Sequence, residues 1–330
     1  MLILALELQD YTFGFAGINY LWTELNGFPR DVSLLFGPAI IFYLKSQINS
    51  AFKLSKKHLT HLIPWVMVFL IQIPFFLQGT LSVQELHQSL FFEIFEYVEW
   101  GLTICSYFYY FFKSIELYKS YKKWTVEEYS NTEQISFTWY RNFLYLMIIW
   151  VGFKVLFTII DFFINLDYFD DWWWNLALAT TAVYVGLQGY AQKQPRQIAF
   201  KYIETSTKVA SKTTDPELIK LAERLENIMN TERLFLQAEI NLRDLSKHLN
   251  TRTNQLSGSI NLIFEKNFND YINERRIQEF ENLVNSGKTE NLTLLSLAYD
   301  SGFNSKATFN RAFKKLRGIS PREFINQFKS

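Results

Sequence analysis

Three carboxylates at a spacing of three, Glu93, Glu96 and Glu99, fall in an otherwise apolar, aromatic stretch beside Tyr97 and Trp100. That spacing sets them along one side of a helix. Lys154 and Asp161, seven apart in another apolar stretch, share a face in the same way. Charge at membrane depth is costly and normally faces a bundle interior or water, so these five residues are candidates for a signal site meeting a small molecule or membrane lipid. The plainer reading puts Glu93 and Glu96 at the outer interface and pairs Lys154 with an acid to satisfy the bundle. Cys105 is the only cysteine, which excludes a disulfide scaffold. With His58, His61, His87 and His248 it shows none of the paired spacings of a zinc site. There is no Gly-rich phosphate loop, no two His four apart and no nucleophile elbow, so neither a cofactor nor an enzymatic activity is expected.

The elements that must hold these groups differ sharply between the two halves. All nine Trp and 46 of the 59 aromatic residues precede residue 193, and that part carries a net charge of −5 against +6 for the rest. Residues 58–84 and 172–192 contain no Asp, Glu, Lys or Arg, and about 20 apolar residues suffice to cross a bilayer. Trp172, Trp173 and Trp174 open the second run in the manner of an interfacial aromatic belt. Leu90–Lys113 and Phe143–Leu166 are long enough as well, while Val32–Leu44 and Tyr11–Thr23 are weaker candidates. The reading is about six spans. Pro38, Pro64 and Pro74 are expected to kink or end their helices. No segment at the start reads as a cleaved signal peptide. Lys45, Lys53, Lys56, Lys57 and then Lys113, Lys119, Lys122, Lys123 occupy alternate loops, whereas the loops between them carry no Lys or Arg and one holds Asp167, Asp170 and Asp171. Cationic loops stay inside, which places Lys193, Arg196 and everything after them in the cytoplasm and makes the chain a multi-pass protein of the cytoplasmic (inner) membrane.

Past residue 193 the apolar runs give way to helical periodicity. Asp215-Pro216 is a helix start, followed by Leu218, Leu221, Ala222, Leu225, Ile228 and Met229 at helical spacing. That stripe is read as docking on the domain behind it rather than as a coiled coil. Two helix-turn-helix patterns follow. Leu242, Leu245 and Leu249 in LRDLSKHL make a short helix broken at Asn250-Thr251, with Thr251 as cap of a second helix through Leu256, Ile260 and Phe264. LLSLAYDSGF makes another short helix ended by Gly302, after which Ser305 caps a helix burying Phe309, Phe313 and Leu316. Between them Phe268, Tyr271, Ile272, Arg275 to Ile277, Phe280 and Leu283 indicate a connecting helix of about 18 residues, roughly 27 Å at 1.5 Å per residue. A short helix, a tight turn and a longer helix is the arrangement that lays its second helix in a major groove.

The ordered series AYDSGFNSKATFNRAFKKLRGISPREF, from Ala298 to Phe324, resembles the AraC/XylS-type transcriptional regulators. LRDLSKHL, Asn254 to Ser257 and NFNDYINERRI extend the resemblance to the first unit, which departs from the family at Gly258, where many members carry Arg. The resemblance implies a seven-helix domain with two helix-turn-helix units that binds double-stranded promoter DNA. Carried over, the exposed DNA-facing residues are Arg252, Thr253, Asn254 and Ser257 on the first recognition helix and Lys306, Thr308, Asn310 and Arg311 on the second. Arg pairs with guanine and Asn with adenine, while Lys314, Lys315 and Arg317 suit phosphates. From 241 to 330 the net charge is +5. In architecture alone the chain resembles bacterial AraC-type regulators with a multi-span membrane half.

The fold expected is therefore all-α: a transmembrane helix bundle at 1–192, a cytoplasmic helical linker at 193–240 and a DNA-binding domain at 241–330. The function expected is a membrane-tethered regulator, a one-component sensor of a membrane signal, with a homodimer among its expected forms. The alternatives are a transporter or membrane enzyme with an appended regulatory domain, and spans serving as a tether only.

Overall fold

The computed structural model describes residues 28–133, 135–164, 172–191, 216–288 and 292–329, together with positions 3, 5, 6, 8 and 200. Among the described residues every element is helical and there is no strand; an isolated bridge pairs Tyr129 with Asn241. The chain divides into two compact units, Met1–Lys119 with Phe137–Lys201 and Ser120–Ser136 with Tyr202–Ser330.

The first unit holds α1 (Ser33–Ile48), α2 (Lys56–Gln78, with a 3-10 turn at Thr60–Leu62), α3 (Thr80–His87), the first part of α4 (Leu90–Glu128), α5 (Thr138–Ile164) and α6 (Trp172–Ala191). Among the described residues, two helical segments are long and apolar enough to cross a membrane by length and composition, Lys56–Gln78 and Thr138–Asp161. Helix α1, with 16 residues, is shorter. The stretch expected to span at Leu90–Lys113 is the opening of a single 39-residue helix whose glutamates dilute its apolar character, and the charge-free run from Trp172 is a helix of 20 residues. Pro38 and Pro74 lie inside their helices without ending them. Close packing joins α1 to its neighbours: a Cβ on Gly37 would meet the Tyr110 ring at 2.5 Å, and the buried Tyr140 hydroxyl donates to the Ile40 carbonyl at 2.9 Å. The weak candidate span Tyr11–Thr23, the acidic loop from Asp167 to Asp171, Lys193, Arg196 and the helix-start residue Asp215 lie outside the described residues.

The second unit contains the last turns of α4 and then α7 (Pro216–Thr231), α8 (Leu242–His248), α9 (Thr253–Ile263), α10 (Phe268–Asn285), α11 (Leu294–Asp300), α12 (Lys306–Arg317) and α13 (Pro321–Lys329). Among the described residues its seven complete α-helices thus include α7, which lies in the stretch read as linker. The apolar stripe docks as expected: Leu221, Leu225 and Met229 join Leu245, Leu256, Ile260 and Ile272 in one core. Polar ties reinforce it, with Ser259 Oγ donating to the Leu218 carbonyl at 2.7 Å and Arg224 to that of Leu249 at 2.7 Å. A second core gathers Ile277, Phe280, Leu297, Phe303, Phe309 and Phe313. Helix α10, 18 residues long as the spacing predicts, supplies Tyr271 and Ile272 to the first core and Ile277 and Phe280 to the second, so one helix is the shared wall of both.

Candidate nucleic-acid interface

The first helix-turn-helix is built from local rules. Asn241 caps α8 by accepting the Asp244 N–H at 2.8 Å, and the chain reverses at Asn250, whose φ of +49° is left-handed, a conformation Asn tolerates. The expected cap at Thr251 is displaced by one residue: α9 begins at Thr253, the extended Arg252 takes the N-cap position with no side-chain cap bond, and the Thr251 hydroxyl instead donates to the Gln255 side chain at 3.3 Å. Leu256, Ser259 and Ile260 face the core, which leaves Arg252, Asn254 and Gln255 exposed and Thr253 and Ser257 half-buried. Gly258 departs from the family pattern without a steric cause, since a Cβ there would meet nothing within 4 Å.

The second unit repeats the plan. Thr293 caps α11, Gly302 turns the chain at φ +92°, and Ser305 caps α12 by accepting the Thr308 N–H at 3.1 Å. Gly318, at φ +79°, closes α12 in a left-handed C-cap. Phe309, Ala312 and Phe313 are buried beneath it, so Lys306, Asn310, Arg311, Lys314 and Lys315 project outward. Three residues differ from the sequence expectation. Thr308 is not exposed but buried at 3%, its hydroxyl donating to Glu133 at 2.9 Å. Arg317 is closed in a double ion pair with Glu274 at 2.8 Å and Glu281 at 2.6 Å, and its guanidinium is held above its ordinary range, first by the Glu281 hydrogen bond. Lys315 stays exposed while reaching Asp270 at 2.6 Å. The acids that occupy Lys315 and Arg317 all lie on α10, a partner that spacing within α12 does not reveal.

Two groups hold positions that the sequence does not assign them. Arg276, 1% exposed, donates to the carbonyls of Phe235 and Gln237 at 2.8 Å each and lies over the Phe303 ring. With no carboxylate among these contacts, burial lowers its pKa to about 10, which leaves it charged at neutral pH. Its register offered a signal, four residues after Ile272 and four before Phe280 on the buried side of α10. Glu133 offered none, lying far upstream in sequence. Of the residues proposed to meet a signal, Glu93 and Glu96 are exposed and Glu99 half-buried on α4, while Lys154 is half-buried and Asp161 exposed on α5.

Paired helix-turn-helix units sharing one long helix, each with Arg and Asn outward on or at the cap of its second helix, define a DNA-binding class of domain. Residues 245–327 match the family model described as a helix-turn-helix domain, and this match supports an AraC-type transcription regulator that binds double-stranded DNA. No curated protein and no solved structure matches the chain.

Proposed function

We propose that the chain is a membrane-tethered, sequence-specific transcriptional regulator, a one-component sensor. In it, an event at about six amino-terminal spans in the cytoplasmic membrane changes how the cytoplasmic helix-turn-helix pair engages promoter DNA. The observation that carries this reading is the presence in one chain of a helix-turn-helix domain with outward Arg252, Asn254, Asn310 and Arg311 and of two helices long and apolar enough to cross a bilayer. Met67, Leu70 and Ile149 on those helices, each at least 60% exposed, are surfaces that lipid would cover. Arg252 and Arg311 read guanine, Asn254 and Asn310 read adenine, and Lys306 and Lys314 meet phosphate. Signal contact falls on Glu93, Glu96, Glu99, Lys154 and Asp161, and the responding form is a homodimer. A switch of this kind needs a signal that binds two states unequally.

Genome-wide crosslinking of the full chain to DNA tests the reading, with the Arg252→Ala, Arg311→Ala double variant as control. Discrete promoter peaks that vanish in the variant are expected. Absence of peaks under every growth condition would overturn the regulator reading. Replacing the three glutamates by Gln is expected to alter the promoter response, and an unchanged response would remove them as the signal site.

A further inference from the structure

Residues 120–136 belong to the same compact unit as the helix-turn-helix domain, although more than a hundred positions separate them in sequence. The segment leaving α4 is anchored through its backbone. Asn269 donates to the carbonyls of Tyr129 and Ser130 at 3.1 and 2.8 Å, and the fully buried Ser130 hydroxyl donates to the Ile240 carbonyl at 2.7 Å. The Arg276 guanidinium reaches Ser130 Oγ at 3.3 Å, and Tyr129 pairs with Asn241, the cap of α8. Three residues beyond this anchor Glu133 reaches the start of the second recognition helix, where its carboxylate accepts from the Ser305 hydroxyl and, at 2.9 Å, from that of Thr308.

Electrostatics favour the contact. A carboxylate at a helix N-terminus meets the positive end of the macrodipole. The Ser305 hydrogen bond, then that of Thr308 and the charge of Arg311, hold the Glu133 carboxyl below its ordinary range against the opposing effect of burial. A DNA phosphate would seek the same hydroxyls, helix end and guanidinium, for the same reasons. Ser130 is fully buried and Tyr129 half-buried, whereas Glu133 is exposed, so the carboxylate can leave the helix without opening either core.

We infer that Glu133 is an intramolecular latch on α12: its carboxylate occupies the Ser305, Thr308 and Arg311 face that duplex DNA must take, and DNA engagement requires it to withdraw. The inference rests on the DNA-binding reading above. Because residues 129–133 directly follow α4, the helix that carries Glu93, Glu96 and Glu99, the latch stands at the end of the element proposed to meet the signal.

The test measures affinity of the full chain in lipid nanodiscs for two labelled duplexes, the sequence most enriched by crosslinking and a mixed sequence of the same length. Glu133→Ala is expected to bind both about three- to tenfold more tightly than the natural chain. Asn269→Ala removes two of the anchor's hydrogen bonds, loosening it without altering a residue of either recognition helix, and is expected to act in the same direction. Glu133→Gln, which keeps an acceptor and loses the charge, is expected to fall between. Affinity that is unchanged or weaker in Glu133→Ala, with Arg311→Ala still weakening binding to the enriched sequence, overturns the latch and leaves the DNA-binding reading intact. No binding by any form, natural chain included, overturns both.

Discussion

At Gly302 the backbone turns through positive φ, and a Cβ would stand 2.8 Å from the Leu236 Cα and the Phe235 carbonyl oxygen. Gly302→Ala therefore meets both a strained conformation and fixed backbone, and is expected to lower stability by about 1–3 kcal/mol. Gly258→Ala, placed in open space within α9, is expected to raise it by about 0.5–1 kcal/mol, since Gly is the poorer helix former. Urea unfolding of the two variants checks the opposite signs. Glu128 supplies a pH dependence. Burial pushes its carboxyl up to about 7, against the backbone N–H and the charge of Arg243, which lower it. A raised pKa in the fold means that its contribution is fully present below about 4.5 and is lost as pH rises through about 7. Amide protection over residues 120–133, corrected for intrinsic exchange, is expected to fall across that window and to lose the dependence in Glu128→Gln. A profile identical in the two proteins would refute the assignment.

Helix α7 contributes Leu225, fully buried, to a core it shares with α8, α9 and α10. Leu225→Ala is expected to cost about 2–5 kcal/mol and to weaken DNA binding through the first unit, read by thermal unfolding and crosslinking together. On α12 the outward faces divide by role. Arg311→Ala is expected to cost about 1–3 kcal/mol at the preferred sequence and to relax preference there, whereas Lys314→Ala weakens all duplexes alike and lowers the salt slope by about 1. Elements of this domain were legible because their signals are local: Leu242, Leu245 and Leu249 at helical spacing, the Gly302 turn, the Ser305 cap and the α10 register all act within a few residues. The burial of Thr308 and the ion pairs of Arg317 are not legible in the sequence because their partners, Glu133, Glu274 and Glu281, come from other elements and leave no mark on the α12 pattern. The cap falls one residue past Thr251 because helical backbone starts only at Thr253, a boundary that the residue types around it do not mark to the residue.

For the whole molecule, the contrast between the aromatic first half and the basic second half divided the chain before any residue was placed. Span number was less legible, since α4 mixes three glutamates into its apolar run and α1 is short. The full chain is expected to stay with the membrane fraction through an alkaline carbonate wash and to be released by detergent; release by carbonate would overturn the tether. The contacts between Ser130 and Arg276 and between Glu133 and Thr308 span 146 and 175 positions. A ribosome adding about 5–20 residues per second completes the upstream member of each pair roughly 7–35 s before the downstream one. The recognition helix is thus synthesised into the vicinity of a carboxylate already waiting for it. On the latch reading, promoter DNA competes with a partner built into the same chain and made before the helix it covers.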